Sequence, residues 1–527
     1  GLLAFGRAVG REARAKDIDV LLAPGCNLVR VPQCGRTFEY YGEDPHHSGQ
    51  LAAATVRGIQ SAGVVATPKH YVANNQETNR TTVSAEVGER ALRELYLSAF
   101  ETAVREGDAG SVMAAYNRVN GTPMSEHAPL FRVLKAEFGF EGPVMSDWWA
   151  VEDGVAAAAA GLDIEMPGVG LVDNAAMAMP DTTGFRPLRT RWPERLPDLD
   201  SLFESSLVDG VPDGIPRPGT SLFARGLPDA LADGRLAPAR LDEMVARVLR
   251  IHERVGALDG ERAPVSVDRL THRKLAARIG TRGSVLLKDD GVLPLSPESS
   301  VALVGPHVHE AKVGGGGSSG VTPVETVSPA TGVRARSAGD VVVERGHPRI
   351  ESGPVLGFDA ALPSLAGAGR SLLGANLVDE RAVRTAAESA GTAVVVVQDR
   401  AAEFRDRSLS LPGEQDRLVE LVADAAAQTV VVLQTAGAVE MPWLDAVDAV
   451  LELWYPGQEA GGVLASLLYG DTDPGGCLPV TFAAPGDYPA TDPAAYPGVA
   501  GANGYPEAEY AEGVFVGYRH FDHGDID

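Results

Sequence analysis

Two consecutive α/β domains are predicted for this chain of 527 residues, and three features predict them. Over residues 17–167 short apolar runs alternate with helical stretches. Each run stays apolar until its C-terminal end, where polar or aromatic residues take over. From about residue 272 a second series begins, in which the strands are continuous β-branched runs. Short strands that each feed a helix form parallel βα units with both sheet faces covered.

The first series reads in order. "DIDVLLAPG" is a strand, "HHSGQLAAATVRGIQSAG" a helix, "VVATPKH" a strand and "ERALRELYLSAFETAVREG" a helix with apolar positions three and four apart. "SVMAAYN", "PVMSDW" and "LDIEMPG" are further strands, separated by the helices "APLFRVLKAEFGF" and "VEDGVAAAAAG". The strand ends carry Lys69 and His70, Tyr116 and Asn117, Asp147 and Trp148, Asp163 and Glu165. In a TIM barrel the chemistry sits at that face, so residues 1–260 are expected to form a TIM-barrel-like catalytic domain. Proline-rich residues 171–220 suit a surface insertion, and "ARLDEMVARVLRIHERVGAL" closes the half. Residues 261–271 form a polar linker. In residues 272–527 the strands "SSVALVGPH", "GTAVVVVQD", "QTVVVLQTA" and "AVDAVLELWYPG" predict an α/β sandwich domain with a mostly parallel open sheet.

Composition excludes several classes. With 46 basic and 71 acidic residues the net charge is −25, which argues against nucleic acid or an anionic membrane as partner. No apolar run reaches the roughly 18–20 residues that span a bilayer. Cys26, Cys34 and Cys477 match neither a disulfide framework nor a zinc module; buried free thiols are the expectation, with a Cys26–Cys34 pair as the alternative. The chain opens on an amphipathic helix, "GLLAFGRAVGREARA", not a signal peptide. The cytoplasm is the favoured compartment, with secretion kept open. The "EDPHH" histidines read as surface residues, and the sequons "NRT" and "NGT" are short enough to arise by chance.

For chemistry, Asp147 is the central candidate, with N-capping of the next helix as the bland alternative. The second domain offers Glu403 as its most forward carboxylate, followed by Asp406 and Arg407, read as a local pair or as ordinary loop charges. Two carboxylates, one ionised and one protonated, are the minimum kit for cleaving a glycosidic bond. Lys69 beside Asp147 would keep it ionised, Trp148 offers a flat face to a sugar, and Arg36, Lys69 and His70 offer donors. Spacing alone does not bring Asp147 and Glu403 together. The run "GGGGSSG" at 314–320 lacks the Lys-Ser/Thr ending of a phosphate loop and reads as a mobile loop, with a phosphate-binding barrel enzyme as the outside alternative.

Many stretches follow one another in a recognisable order: "LLAPGCNLVRVPQCGRTFEYYGEDP", "TPKHYVANNQETNR", "SVMAAYNRVNG", "GPVMSDWWA", "GLDIEMPG", "EFRDRSLSLPG", "WYPGQEAGG" and "EGVFVGYRHFD". In these the chain resembles glycoside hydrolase family 3, in its bacterial β-glucosidase-like branch, over nearly its whole length. The resemblance implies Asp147 as nucleophile and Glu403 as acid/base of a retaining exo-acting β-glycosidase, most simply a β-glucosidase. Arg36, Lys69, His70, Met113 and Tyr116 would line the glycone subsite, and Trp148 would begin the aglycone side. It implies no metal and no organic cofactor, small β-glucosides or oligosaccharides as substrates, and leaves a homo-oligomer open.

Three departures qualify this. The family has Gly where this chain has Phe404. The barrel's first strand, with its "DGP"-like sugar ligand, is expected to be absent, and so is a C-terminal fibronectin type III-like domain. Apart from these departures, the "KHYVANNQE" stretch differs from the loop that supplies a histidine acid/base in the hexosaminidase branch, which argues against hexosaminidase or phosphorylase activity. The alternatives within the family are a β-xylosidase, an α-L-arabinofuranosidase, or an inactive fragment of such an enzyme.

Overall fold

The computed structural model describes residues 1–168, 221–258, 264–350 and 378–524. The insertion expected at 171–220 lies outside them. In the first half one series of strands runs parallel and pairs in chain order. Val20–Leu21 pairs with Val65–Ala66, and Gly25 bridges to Lys69. Tyr71 bridges to Ala114, Val112–Met113 pairs with Val144–Met145, and Met145 bridges to Ile164. Among the described residues this TIM-barrel-like ladder is not closed into a ring.

The helices Pro45–Gln60, Ser98–Arg105 and Gly154–Ala160 lie between these strands in the chain. Their apolar faces and the strands' interior residues share one core, which includes Val56, Phe100, Val112, Val144 and Ala157. The N-terminal helix Leu2–Arg14 packs on Pro45–Gln60 at very short range. A Cβ on Gly6 would stand 2.4 Å from the Thr55 carbonyl oxygen, and one on Gly58 would stand 2.5 Å from that of Leu3. Only glycine permits that approach.

The second half holds a six-stranded sheet in the order Val341–Glu344, Val301–Val304, Thr392–Gln398, Thr429–Gln434, Ala449–Glu452, Val285–Asp289. All neighbours are parallel except the last pair. Alternate residues explain its two covered faces. Val301, Leu303, Val394, Val396, Val430 and Val432 pack with Val333 and Leu464, on helices Pro329–Arg336 and Ala460–Leu468. Ala302, Val304, Val395, Val397 and Val431 pack with Val383 and Leu418, on helices Glu380–Glu388 and Gln415–Ala425. Continuous Val-rich runs are what a sheet buried on both faces requires.

One connection was not legible in the sequence. Pro506–Glu509 pairs in parallel with Ser84–Glu86, which in turn pairs with Arg118–Val119. The C-terminal segment thus extends a small sheet that begins in the first half. Arg30 fixes it, donating to the Ala495 and Glu509 carbonyls and to Glu512, with its guanidinium 3.6 Å from the Tyr510 ring centroid.

At the C-terminal end of the second sheet, Glu452 is fully buried, and burial pushes its carboxyl up to about 8. The Thr435 hydroxyl lies 2.9 Å from the Gly437 carbonyl oxygen and 2.6 Å from Glu452 Oε2. One hydroxyl proton cannot serve both, and a protonated Glu452 donating to Thr435 satisfies the pair. Because the folded pKa is raised, this stabilisation is fully present below the ordinary value of 4.5 and is lost as pH rises through about 8, at about 1.4 kcal/mol per pH unit. Glu452→Gln is therefore expected to raise Tm at pH 9 and to leave it nearly unchanged at pH 5, by calorimetry. Equal differences at the two pH values would rule out a protonated Glu452.

Candidate active site

Two strand ends of the first domain and two loops of the second converge. The second-domain loops come from neighbouring strands, Val301–Val304 and Thr392–Gln398. From Val301–Val304 the chain crosses to Val341–Glu344 on one side, while Thr392–Gln398 lies on the other. Loops that leave such a switch point diverge and open a crevice at the strands' carboxyl ends. Here they carry the glycine run and Glu403. Gly316 bridges to Ala402, and Glu403 N–H donates to the Gly316 carbonyl at 3.1 Å.

Residues 403–407 then reach the first domain. Asp406 Oδ1 accepts from the N–H groups of Gly35 (3.1 Å) and Glu77 (2.8 Å), and its Oδ2 accepts from Thr78 N–H (2.9 Å) and the Tyr496 hydroxyl (2.9 Å). Arg407 N–H donates to the Gln33 carbonyl (2.7 Å), while its guanidinium reaches the Pro32 and Ala438 carbonyls and Asp399. Asp406 and Arg407 read as a local pair in the sequence; instead each anchors the loop to the barrel domain.

Asp147 and Glu403 are 6% and 8% exposed. Asp147 does not cap the next helix, since Asp153 does so by accepting from Val155 and Ala156 N–H. Asp147 Oδ1 accepts from Trp148 N–H at 2.8 Å. Its Oδ2 is buried without a hydrogen-bond partner and faces His70 Nε2, likewise unpartnered, at 3.6 Å. Asn27 orients that ring: it accepts from His70 N–H at 2.6 Å and lies 3.3 Å from His70 Nδ1. Burial, with Arg36, Lys69 and Arg80 nearby, holds His70 well below its usual pKa, so the imidazole is neutral.

Glu403 Oε1 lies 2.9 Å from Arg80 Nη1 and 3.5 Å from Arg36 Nη1, and Oε2 accepts from Ser318 N–H at 2.8 Å. Burial opposes its ionisation, but the two guanidinium groups and that N–H carry its pKa down to about 2. Asp147 goes the other way: burial raises it, against the pull of Arg36, Arg80 and Lys69. This corrects the expectation that Lys69 keeps Asp147 in the low range: Lys69, which also pairs with Glu39 at 3.8 Å, does pull it down, but burial outweighs the three cations. Arg36 and Arg80 act on both carboxylates, so Asp147 and Glu403 occupy one site.

Of the other expected residues, Tyr116 is tied to this cluster through Arg80 and Asp147. The Tyr116 ring lies 4.3 Å from the Arg80 guanidinium, and burial and the Asp147 charge keep its hydroxyl protonated. Met113 is buried on the strand beside Val144–Met145, and Trp148 is half-buried. Asp163 and Glu165 serve structure instead. Asp163 pairs with Lys135 and Arg240, and Glu165 accepts from Leu222 and Phe223 N–H at the start of helix Leu222–Ala232. Sequence reading passed over Glu39, Glu77, Arg80 and Ser318. Glu77 and Arg80 stand in "NNQETNR", a quoted stretch whose charged pair, three apart, was the available signal. Among the described residues no group of three or more His, Cys, Asp or Glu is arranged to hold a metal ion. Cys26 and Cys34 are buried free thiols, and Cys477 is exposed.

Gly317 lets the glycine run close over Glu403. Its φ is +101°, and a Cβ there would stand 2.3 Å from Glu403 Cβ and 2.9 Å from Oε2. Gly317→Ala is expected to displace the carboxylate and lower kcat by about 10²-fold while the fold survives. Gly314→Ala, whose Cβ would meet nothing within 4 Å, is the control. Equal turnover in both variants, with matching Tm, would remove the positional role of Gly317.

Residues 2–172 match the glycosyl hydrolase family 3 N terminal domain, and residues 284–518 match the glycosyl hydrolase family 3 C-terminal domain. A β-glucosidase of Rhizobium radiobacter is 33% identical, over 99% of this chain and 74% of its own length. An exo-α-(1→6)-L-arabinopyranosidase of Bifidobacterium breve is 32% identical, over 98% of this chain and 60% of its own. Among solved structures, a β-glucosidase from Streptomyces venezuelae in complex with D-glucose superposes with a TM-score of 0.80 at 31% identity, covering 100% of this chain and 74% of that one. With both halves matched and the two carboxylates drawn to one interdomain site, the chain belongs to glycosyl hydrolase family 3.

Proposed function

We propose that this chain is the catalytic part of a retaining, exo-acting β-glycosidase that removes terminal β-D-glucosyl residues, with Asp147 as nucleophile and Glu403 as acid/base. The observation that carries the reading is the buried Asp147 Oδ2, unpartnered and facing an unpartnered neutral His70 Nε2. Arg36 Nη1, also without a hydrogen bond, lies 3.5 Å from Glu403 Oε1. Buried polar atoms left unmatched by the protein are costly unless something else satisfies them, and a polyhydroxyl ring does so with donors and acceptors on every edge.

In the first step Asp147 attacks the anomeric carbon, forming the glycosyl–enzyme bond, while the bond to the leaving oxygen breaks and Glu403 gives that oxygen its proton. In the second step Glu403 takes a proton from water, the water oxygen bonds to the anomeric carbon, and Asp147 leaves. The mechanism needs the carboxyls about 5–5.5 Å apart. At rest the proton favours Asp147 over Glu403. Substrate binding has to reverse that bias. Sugar hydroxyls donating to Asp147 lower its pKa, and withdrawal of Arg80 or of the Ser318 N–H from Glu403 raises the acid's.

A 2-fluoro-glucoside with a good leaving group tests the reading, because the fluorine slows hydrolysis of the covalent intermediate. The expected outcome is a mass increase mapped to the peptide containing Asp147 and absent in Asp147→Asn. Glu403→Gln should lower kcat on substrates with poor leaving groups by about 10²–10⁴-fold, with turnover of activated substrates rescued by azide. Labelling of another residue, or release of an inverted product, would overturn the assignment.

A further inference from the structure

Phe404 occupies a backbone position that disfavours it. Its φ is +76°, in the left-handed region that side chains bearing a Cβ rarely adopt. Two contacts hold it there. Its N–H donates to Glu77 Oε2 at 2.7 Å, and its ring lies 4.2 Å from the Arg80 guanidinium, a cation–π arrangement. The residue is nevertheless 50% exposed. A large apolar side chain is thus kept at a strained position with half its surface uncovered, and such outliers cluster where a site needs them.

The position of the ring suggests its use. Arg80 Nη1 donates to Glu403 Oε1 at 2.9 Å, so the ring is anchored beside the carboxyl that would protonate the leaving oxygen. Whatever is attached to that oxygen departs past Glu403 and the residue next to it. Trp148 holds the equivalent place after Asp147. Each proposed catalytic carboxylate is therefore followed directly by an aromatic residue, and the one beside Glu403 is the more exposed.

We propose that Phe404 is the aromatic platform of the aglycone subsite, favouring glycosides whose leaving group presents a flat apolar face, such as an aryl group, over those with a small alkyl one. This rests on the roles proposed for Asp147 and Glu403. The competing account makes the ring a shield for the Arg80–Glu403 pair, in which case its loss weakens all glycosides alike.

Binding to the full chain decides between them without needing turnover. Calorimetry with phenyl 1-thio-β-D-glucoside and methyl 1-thio-β-D-glucoside compares an aryl with an alkyl aglycone on the same sugar. Phe404→Ala is expected to weaken the phenyl ligand by about three- to tenfold, the usual worth of one aromatic contact, and the methyl ligand by less than about twofold. Phe404→Tyr should retain the preference. Phe404→Gly, which suits the positive φ, should lose it without loss of Tm, so that a folding defect is not mistaken for the effect. Equal weakening of both ligands, no weakening, or no binding of the phenyl ligand by the unaltered chain overturns the platform. If the fluoroglucoside still labels Asp147 in that case, the glycosidase reading stands and only the platform falls; with neither binding nor labelling, both fall.

Discussion

Asp406 accepts three barrel backbone N–H groups and one tyrosine hydroxyl, and the separation of the two candidate catalytic carboxylates hangs on that contact. Asp147 ends a strand of the first domain, whereas Glu403 sits on a loop of the second, so no single core fixes their distance. A carboxylate gripping backbone N–H groups has little freedom, because its partners cannot change rotamer. Arg407 repeats the device in reverse, its side chain donating to backbone carbonyls of both domains. The loop is thereby as well located as an element of the barrel itself. An error of about 1 Å between reacting groups can cost about 10²-fold in rate, which makes such anchoring a condition of chemistry shared between domains.

The same docking creates an electrostatic imbalance. Glu39, Glu77, Asp147 and Glu403 face Arg36, Lys69 and Arg80, with His70 held neutral. Four carboxylates against three cations leave one negative charge without a partner in a site shielded from water. Burial makes that charge expensive, and the site answers by raising the pKa values of Glu77 and Asp147 while holding those of Glu39 and Glu403 down. Carboxylates coupled this closely titrate as a unit. That bias is the reverse of what the proposed reaction needs, in which Asp147 attacks as a carboxylate and Glu403 gives up a proton. Small changes in which groups the guanidiniums face are enough to move the proton.

Much of this could be read from the sequence, and the limits were physical. The Val-rich runs 392–398 and 429–434 announced a sheet buried on both faces, and polar strand ends located Lys69, His70 and Asp147 at one rim. Periodicity says nothing about the partners of a charge, so Asp163 and Glu165 looked like site residues although they hold Lys135, Arg240 and a helix N-terminus. Glu77 and Arg80 were hidden for the complementary reason. They lie in an irregular segment, where only the arrival of residues 403–406 from the other domain gives them a role. The pairing of Pro506–Glu509 with Ser84–Glu86 was equally out of reach, since it joins segments from opposite ends of the chain.

The glycine run joins these points. From the sequence it divided between a phosphate cradle and a mobile loop, because it lacked the lysine and hydroxyl ending that phosphate loops carry. In the structure its backbone does bind an anion: Ser318 N–H donates to Glu403 Oε2, and Gly316 and Gly317 lie against the same residue. Successive backbone N–H groups in a glycine-rich turn make an anion-binding concavity, and nothing in that physics requires the anion to come from outside. Here the occupant is the protein's own carboxylate. An N–H that stabilises the ionised form of Glu403 keeps the carboxyl unprotonated and at the same time weakens it as a base. In the proposed double displacement both halves therefore depend on substrate loosening the loop's hold.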